Sequence, residues 1–209
     1  MDHVLSTPSE VKPLASERLA FLELLQAANR LIDPAKITRN ILILARHFSG
    51  CEAVAIRLKT GPGYPFADSL GFPEAFLDPE DDLCVRDADG HLMRDHRHEP
   101  IPACLCGRLL RGQVDLAQPQ FTERGSFIIS PNRELHLSHL ETQLLGHTLN
   151  PHHVAGYATI GIFPIRMHQQ PCGLLQCNDR RPGRLQGEII DLMENLAARA
   201  GDLFELTMP

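Results

Sequence analysis

Apolar positions keep a helical period at both ends of the chain, a strand period just inside each end, and neither period across a long middle stretch. Ser16 can cap a helix running to about Ile32, in which Leu19, Phe21, Leu22, Leu25 and Leu31 cover more than one face. Asp33-Pro34 then places a cap residue before a proline at the first helical position. Ile37, Ile41, Leu44 and Phe48 follow at i, i+4, i+7 and i+11, a second helical stripe that Gly50 ends. From Ala53 the period drops to two: Val54, Ile56 and Leu58 alternate with Ala53, Ala55 and Arg57. Gly61-Pro62-Gly63 is a turn, and Tyr64 to Leu70 reads as the returning strand.

Between Gly71 and Ala103 the pattern disappears, which in a compact domain marks a functional or disordered segment. A short helix or turn is expected at Cys104–Leu110, a strand within Phe121–Ile129 and a short helix at Asn132–Leu145. Strand alternation resumes at Tyr157 with Ile160 and Ile162, turns near Gln170-Pro171, and comes back through Gly173–Asn178. A final helix spans Leu185–Leu206, with Ile189, Leu192, Leu196, Leu203 and Leu206 at near-heptad spacing. Two hairpins flanked by helices predict an α+β fold, an antiparallel sheet with N- and C-terminal helices packed on one face. Residues 1–15 read as a flexible tail and 16–209 as a single domain with an irregular insertion at about 71–156.

Composition narrows the function classes. The 209 residues suffice for one real core, and 43% apolar with 22% charged residues is ordinary for a globular protein. A net charge of −6 argues against nucleic acid or an anionic membrane surface as partner. No apolar run approaches a membrane span and the first residues do not form a signal peptide, so a cytoplasmic location is expected. Six cysteines in that compartment are thiols or metal ligands rather than disulfides.

The order of elements, with Ile162-Phe163-Pro164-Ile165-Arg166, Gly173-Leu174-Leu175-Gln176 and Asn178-Asp179, resembles a GAF domain, the sensory module of many bacterial signalling proteins. The middle of the chain is similar to a cysteine-containing GAF subgroup attached to bacterial and archaeal sensor kinases. The shared segments are Gly71-Phe72-Pro73-Glu74-Ala75-Phe76, Leu83-Cys84, Cys104-Leu105-Cys106-Gly107, Phe121-Thr122-Glu123, Gly125-Ser126-Phe127 and Glu134-Leu135. That subgroup carries TRNRCN where this chain has Thr148-Leu149-Asn150-Pro151-His152-His153, so His152 takes the cysteine position and the arginines are absent. The resemblance leaves two outcomes open, conversion of a four-cysteine site to Cys3His or its loss.

Cys84, Cys104, Cys106 and His152 are the metal set this resemblance implies, suited to zinc or to an iron–sulfur cluster; the competing reading is ordinary packed thiols. Cys51, Cys172 and Cys177 read as packing residues. Phe72, Phe76, Phe121 and Phe127 are candidates to line a small-ligand cavity, with Arg86, Glu123 and Ser126 as polar anchors. His91, His96, His98, His136 and His139 read as surface histidines. No nucleophile–base signature, phosphate-binding glycine loop or HExxH is present.

The expected function is therefore sensory or regulatory, with a small ligand or metal centre under the insertion. The expected assembly is a homodimer through the terminal helices, passing its signal to a separate output protein. The alternatives are a thiol enzyme of the free methionine sulfoxide reductase type and a dimerisation module with a vestigial site.

Overall fold

The structure is a computed structural model of the full chain. It describes residues 33–61, 63–77, 83–98, 100–101, 104–112, 114–129 and 156–207. Pro34–Pro209 forms one compact unit and Met1–Asp33 a separate one. The expected N-terminal tail, the helix from Ser16, the helix at Asn132–Leu145 and His152 lie outside the described residues.

In chain order the elements are α1 (Pro34–Ser49), β1 (Ala53–Leu58), β2 (Phe66–Leu70), α2 (Glu74–Leu77), α3 (Leu105–Leu110), β3 (Phe127–Ile129), β4 (Thr159–Met167), β5 (Gln170–Asp179) and α4 (Glu188–Thr207). The predicted boundaries at Pro34 and Gly50 hold. Gly50 adopts φ 61° and its N–H bonds to Arg46 O at 3.0 Å, closing the last turn in the left-handed conformation glycine supplies. The buried face of α1 is Ile37, Ile41, Leu42 and Ala45, while Leu44 and Phe48 from the predicted stripe are half-buried. The sequence stripe thus lies at the margin of the packed one.

The five strands form one antiparallel sheet in the order β2-β1-β5-β4-β3. Both predicted hairpins are present, and β5 inserts beside β1 to join them. Opposite pairs such as Ala55–Gln176–Ile162 and Ile56–Leu175–Phe163 fix which side chains share a face.

Every residue of β1 is buried, as are most of β4 and β5, so these central strands are covered on both sides. On one face Val54, Ile56, Phe163, Ile165, Leu175 and Cys177 meet α1 and α4; Cys177 Sγ lies 4.0 Å from Met193 Sδ. α4 buries Leu192, Met193, Leu196, Ala197, Ala200, Leu203 and Phe204, whereas Leu206 at the end of the expected heptad is 75% exposed. The near-heptad stripe therefore serves this chain's own sheet. Gly201 sits so close to β4 that a Cβ there would stand 2.0 Å from Arg166 O.

The other face carries Ala53, Ala55, Leu174, Ile160 and Ile162 beneath the insertion, in one apolar cluster with Phe72, Phe76, Leu83, Leu105, Cys106, Leu109, Leu110, Phe127 and Tyr157. At roughly 25 cal/mol per Å² of apolar surface, this second layer is a core in its own right. Gly71 admits the chain into it. Its φ is 81°, and a Cβ would lie 2.0 Å from Glu52 O, so any other residue would force the insertion away from β1.

The part of the insertion with no periodic pattern is ordered by repetition. Val85, Met93 and Ile101, spaced by eight residues, close a ring of backbone bonds: Met93 N to Val85 O at 2.9 Å, Ile101 N to Met93 O at 3.0 Å and Val85 N to Ile101 O at 2.8 Å. An Arg-Asp pair follows each of the first two. Arg86 Nη1 donates to Gly90 O at 2.8 Å and Arg94 Nη1 to His98 O at 2.7 Å. Asp87 Oδ1 accepts from Asp89 N at 3.0 Å and Asp95 Oδ1 from Arg97 N at 2.9 Å. Gly90 (φ 83°) and His98 (φ 62°) end the two turns in the same left-handed conformation.

Candidate functional site

The insertion face gathers most of the predicted aromatic residues. Phe72 and Phe76 stack with centroids 4.5 Å apart and planes at 15°, and Tyr157 stands edge-on to both at 5.7 and 6.0 Å. Phe121, half-buried, meets buried Phe127 edge-on at 5.3 Å. Such pairs contribute roughly 0.5–1.5 kcal/mol beyond their buried area.

The predicted polar anchors divide. Ser126 is buried and its N–H bonds to Thr122 Oγ1 at 3.0 Å. Glu123 is exposed, and Arg86 is exposed with one guanidinium nitrogen holding its own turn at Gly90 O.

None of the six cysteines is in a disulfide. Cys104 and Cys106 lie at the start of α3 and join the cluster that also holds Leu83, next to Cys84. Cys106 is buried, and Cys84 and Cys104 are half-buried. Among the described residues, the metal-type side chains whose ligand atoms gather within 4.8 Å of one another are Asp87, Asp89 and His91, all exposed; the three cysteines do not form a second such group. Asp87 Oδ1 already accepts the N–H groups of Asp89 and His91, so turn formation accounts for that arrangement. Cys51, Cys172 and Cys177 pack as expected, and burial pushes all three thiols up, Cys177 furthest.

Four further features were not read from the sequence. Tyr157, one of two tyrosines in the chain, buries its hydroxyl with no hydrogen-bond partner among the described residues, and burial raises its pKa. Gln120 Nε2 is likewise buried without a partner among the described residues. Arg57 is buried near the end of β1, stacks 3.4 Å above the Phe66 ring and donates to Tyr64 O at 3.0 Å.

The fourth links the insertion to α4. Thr122 Oγ1 donates to Glu194 Oε1 at 2.5 Å while accepting from Ser126 N. Arg124 reaches the same carboxylate at 3.6 Å and donates to Asn195 Oδ1 at 2.8 Å. Arg166 Nη2 holds Arg124 O at 3.2 Å. The Phe121–Phe127 segment singled out in the sequence is therefore a clamp on α4. Glu194 could have been suspected from its place on the apolar side of that helix, between Met193 and Leu196.

The segment Asn178-Asp179 also has a structural role. Asp179 is fully buried and accepts from Glu52 N at 2.9 Å, Arg181 N at 2.7 Å and Arg181 Nη2 at 2.7 Å. Burial works to raise its pKa, but the bonds from Arg181 and Glu52 outweigh it and hold the carboxyl below its usual value. This knot ties the start of β1 to the end of β5.

No family model and no curated protein matches the chain. Solved structures do. The GAF domain region of a protein from Geobacter sulfurreducens PCA superposes with a TM-score of 0.54 at 14% identity, over 87% of this chain and 99% of that one. A GAF domain assigned to a sensor histidine kinase from Pseudomonas syringae pv. tomato gives 0.51 at 14%, over 93% and 91%. GAF3 from Slr1393 of Synechocystis sp. PCC6803, in its photoproduct state, gives 0.51 at 14%, over 83% and 94%. The sheet order, the long helices on one face and the insertion on the other are thus, together, the GAF fold.

Proposed function

We propose that this chain is a sensory domain that takes a small ligand against the insertion face of its sheet and passes occupancy to α4. The observation that carries the reading is the Tyr157 hydroxyl, buried beside the Phe72–Phe76 stack without a partner among the described residues. An unsatisfied buried hydroxyl costs about 1–3 kcal/mol, which a ligand acceptor would offset. Apolar walls with a few polar anchors are the usual make-up of a small-molecule site. The Thr122–Glu194 clamp supplies the route by which an ordered insertion would bias the helix. A metal version of the reading would use Cys84, Cys104, Cys106 and His152.

Native mass spectrometry, metal analysis and absorption spectra on anaerobically purified protein test it. The expected result is a retained small molecule or metal, with small-molecule occupancy lowered by Tyr157→Phe. A bare chain that Tyr157→Phe stabilises would remove the ligand reading, because deleting an unsatisfied hydroxyl should then help folding.

The assembly proposal is a homodimer through the terminal helices, signalling to a separate output protein. Leu206 on α4 is a large apolar side chain left at the surface, 75% exposed, and the helix from Ser16 lies outside the described residues. Light scattering that shows a monomer at high micromolar concentration would end that proposal. The thiol-enzyme alternative requires turnover of free methionine sulfoxide with a thiol reductant, abolished by Cys104→Ser or Cys106→Ser.

A further inference from the structure

A groove of about 830 Å³ opens where the insertion meets the tips of both hairpins. Its walls bring together side chains from four places. Lys59 comes from the end of β1, Arg94 and His98 from the second tight turn, Arg111 from the end of α3, and Arg166 from β4. Lys59, Arg94, Arg111 and a histidine thus line one space with Arg166, which also borders a second groove lined by Glu194, Asp202 and Glu205; among the described residues no acidic side chain lines the first. On a chain of net charge −6 this is not an average sample of the surface.

The guanidinium groups are also held in place. Arg94 is fixed by His98 O at 2.7 Å and Arg166 by Arg124 O at 3.2 Å, while Arg111 lies 3.9 Å from Asp95. Among the described residues no carboxylate pairs with Lys59, Arg94 or Arg166. Carbonyl contacts orient a guanidinium without cancelling its charge, so its fork stays available to an anion. Like charges gathered in one concavity repel each other, and the groove focuses their field until a counter-charge enters. The volume is in the range of small-molecule sites.

We propose that this groove binds a small polyanion, a molecule carrying at least two phosphate or carboxylate groups. The groove adjoins the apolar cluster that holds Tyr157, sharing Leu83 and Leu110 with it, and the proposal rests on its charged wall alone. It also explains two features the fold alone leaves without purpose. His98 takes a left-handed φ that favours glycine, in a turn that borders the groove. The eight-residue repeat sets Arg94 on the wall while its counterpart Arg86 is not among the lining residues.

Isothermal titration of the full chain at low salt tests the proposal, with inorganic pyrophosphate and citrate as separate probes. Saturable binding of at least one probe is expected at up to millimolar concentration. Lys59→Gln should weaken it about tenfold with the unfolding midpoint unchanged, Arg94→Gln should weaken it as much while also loosening its turn, and Arg199→Gln on the exposed side of α4 should leave it unchanged. Pyrophosphate alone would assign phosphate chemistry, citrate alone carboxylate chemistry, and both a general polyanion site. No saturable binding of either probe overturns the proposal. So does equal weakening by Arg199→Gln, which would mean the probes read overall charge and not the groove.

Discussion

The two faces of the sheet are built by different means. On the helix face, contact is between regular elements: Phe163, Phe204, Ile41 and Met193 are fully buried, the buried polar side chains Thr38, Ser49 and Glu194 are hydrogen-bonded, and Gly201 brings helix backbone against strand backbone. On the insertion face the layer is assembled from short turns, and polar groups are buried with it: Arg57, Gln120, Gln176 and Tyr157. The first face is organised to hold shape. The second accepts desolvated polar groups that add little to stability, a pattern expected where structure is given over to binding.

Five changes would break or sharpen that contrast. Phe204→Ala should have the largest effect, about 3–5 kcal/mol in urea unfolding, because a fully buried ring leaves a cavity between α4 and the sheet. An equal loss from Phe76→Ala would mean that the two faces are not different in kind. Gly201→Ala comes next at about 3 kcal/mol, or roughly 6–12 °C in thermal midpoint, since the new Cβ meets the Arg166 carbonyl oxygen rather than a side chain that can yield.

Thr122→Val should cost about 1–3 kcal/mol by stripping the shortest bond from the buried Glu194 carboxylate. Hydrogen exchange should then rise in residues 121–126 and the first half of α4, and not in α1. Asp179 sets an acid limit. Its folded pKa lies below the ordinary value, so its contribution is complete at neutral pH and falls away as pH drops through the carboxylate range, below about pH 4. Asp179→Asn should be less stable at neutral pH and flatter in acid, and parallel pH profiles would refute the assignment.

The smallest effect is His98→Gly. Relief of left-handed strain, about 1–2 kcal/mol, is largely offset by the entropy of glycine, leaving a gain of up to about 1 kcal/mol. Slower proteolysis within residues 83–101 should report it.

The helix face was legible in the sequence because each of its elements repeats a simple period. Asp33-Pro34 and Gly50 bracket α1, and Val54, Ile56 and Leu58 mark β1. Even there, the spacing of Leu192, Leu196 and Leu203 fitted both a partner helix and the chain's own sheet, and only the packing distinguishes them. The insertion was less legible because its regularity is not a hydrophobic period. Val85, Met93 and Ile101 recur every eight residues, and the order comes from Arg-Asp pairs closing turns, a signal visible only once the Arg86-Asp87 and Arg94-Asp95 repeat is noticed. The aromatic candidates Phe72, Phe76 and Phe127 were found because large apolar residues in an unpatterned stretch must be buried somewhere. Tyr157, Thr122 and Glu194 were missed because their importance lies in partners, or the lack of them, far away in the chain.

The absence of a side chain at Gly201 fixes how α4 can move. A helix seated directly on the Arg166 carbonyl cannot slide along its axis without driving the residues one turn away on the same face, Ala197 and Phe204, into β4. It can tilt, and Gly201 is then the fulcrum. Glu194 lies about 10 Å to one side and Thr207 about 9 Å to the other, at 1.5 Å per residue. A rigid lever with arms so nearly equal would deliver a shift at the clamp to the far end almost undiminished and reversed in direction. Spin labels at Glu188 and Thr207 would move oppositely relative to the sheet under this geometry, and in the same sense if α4 slid as a piston.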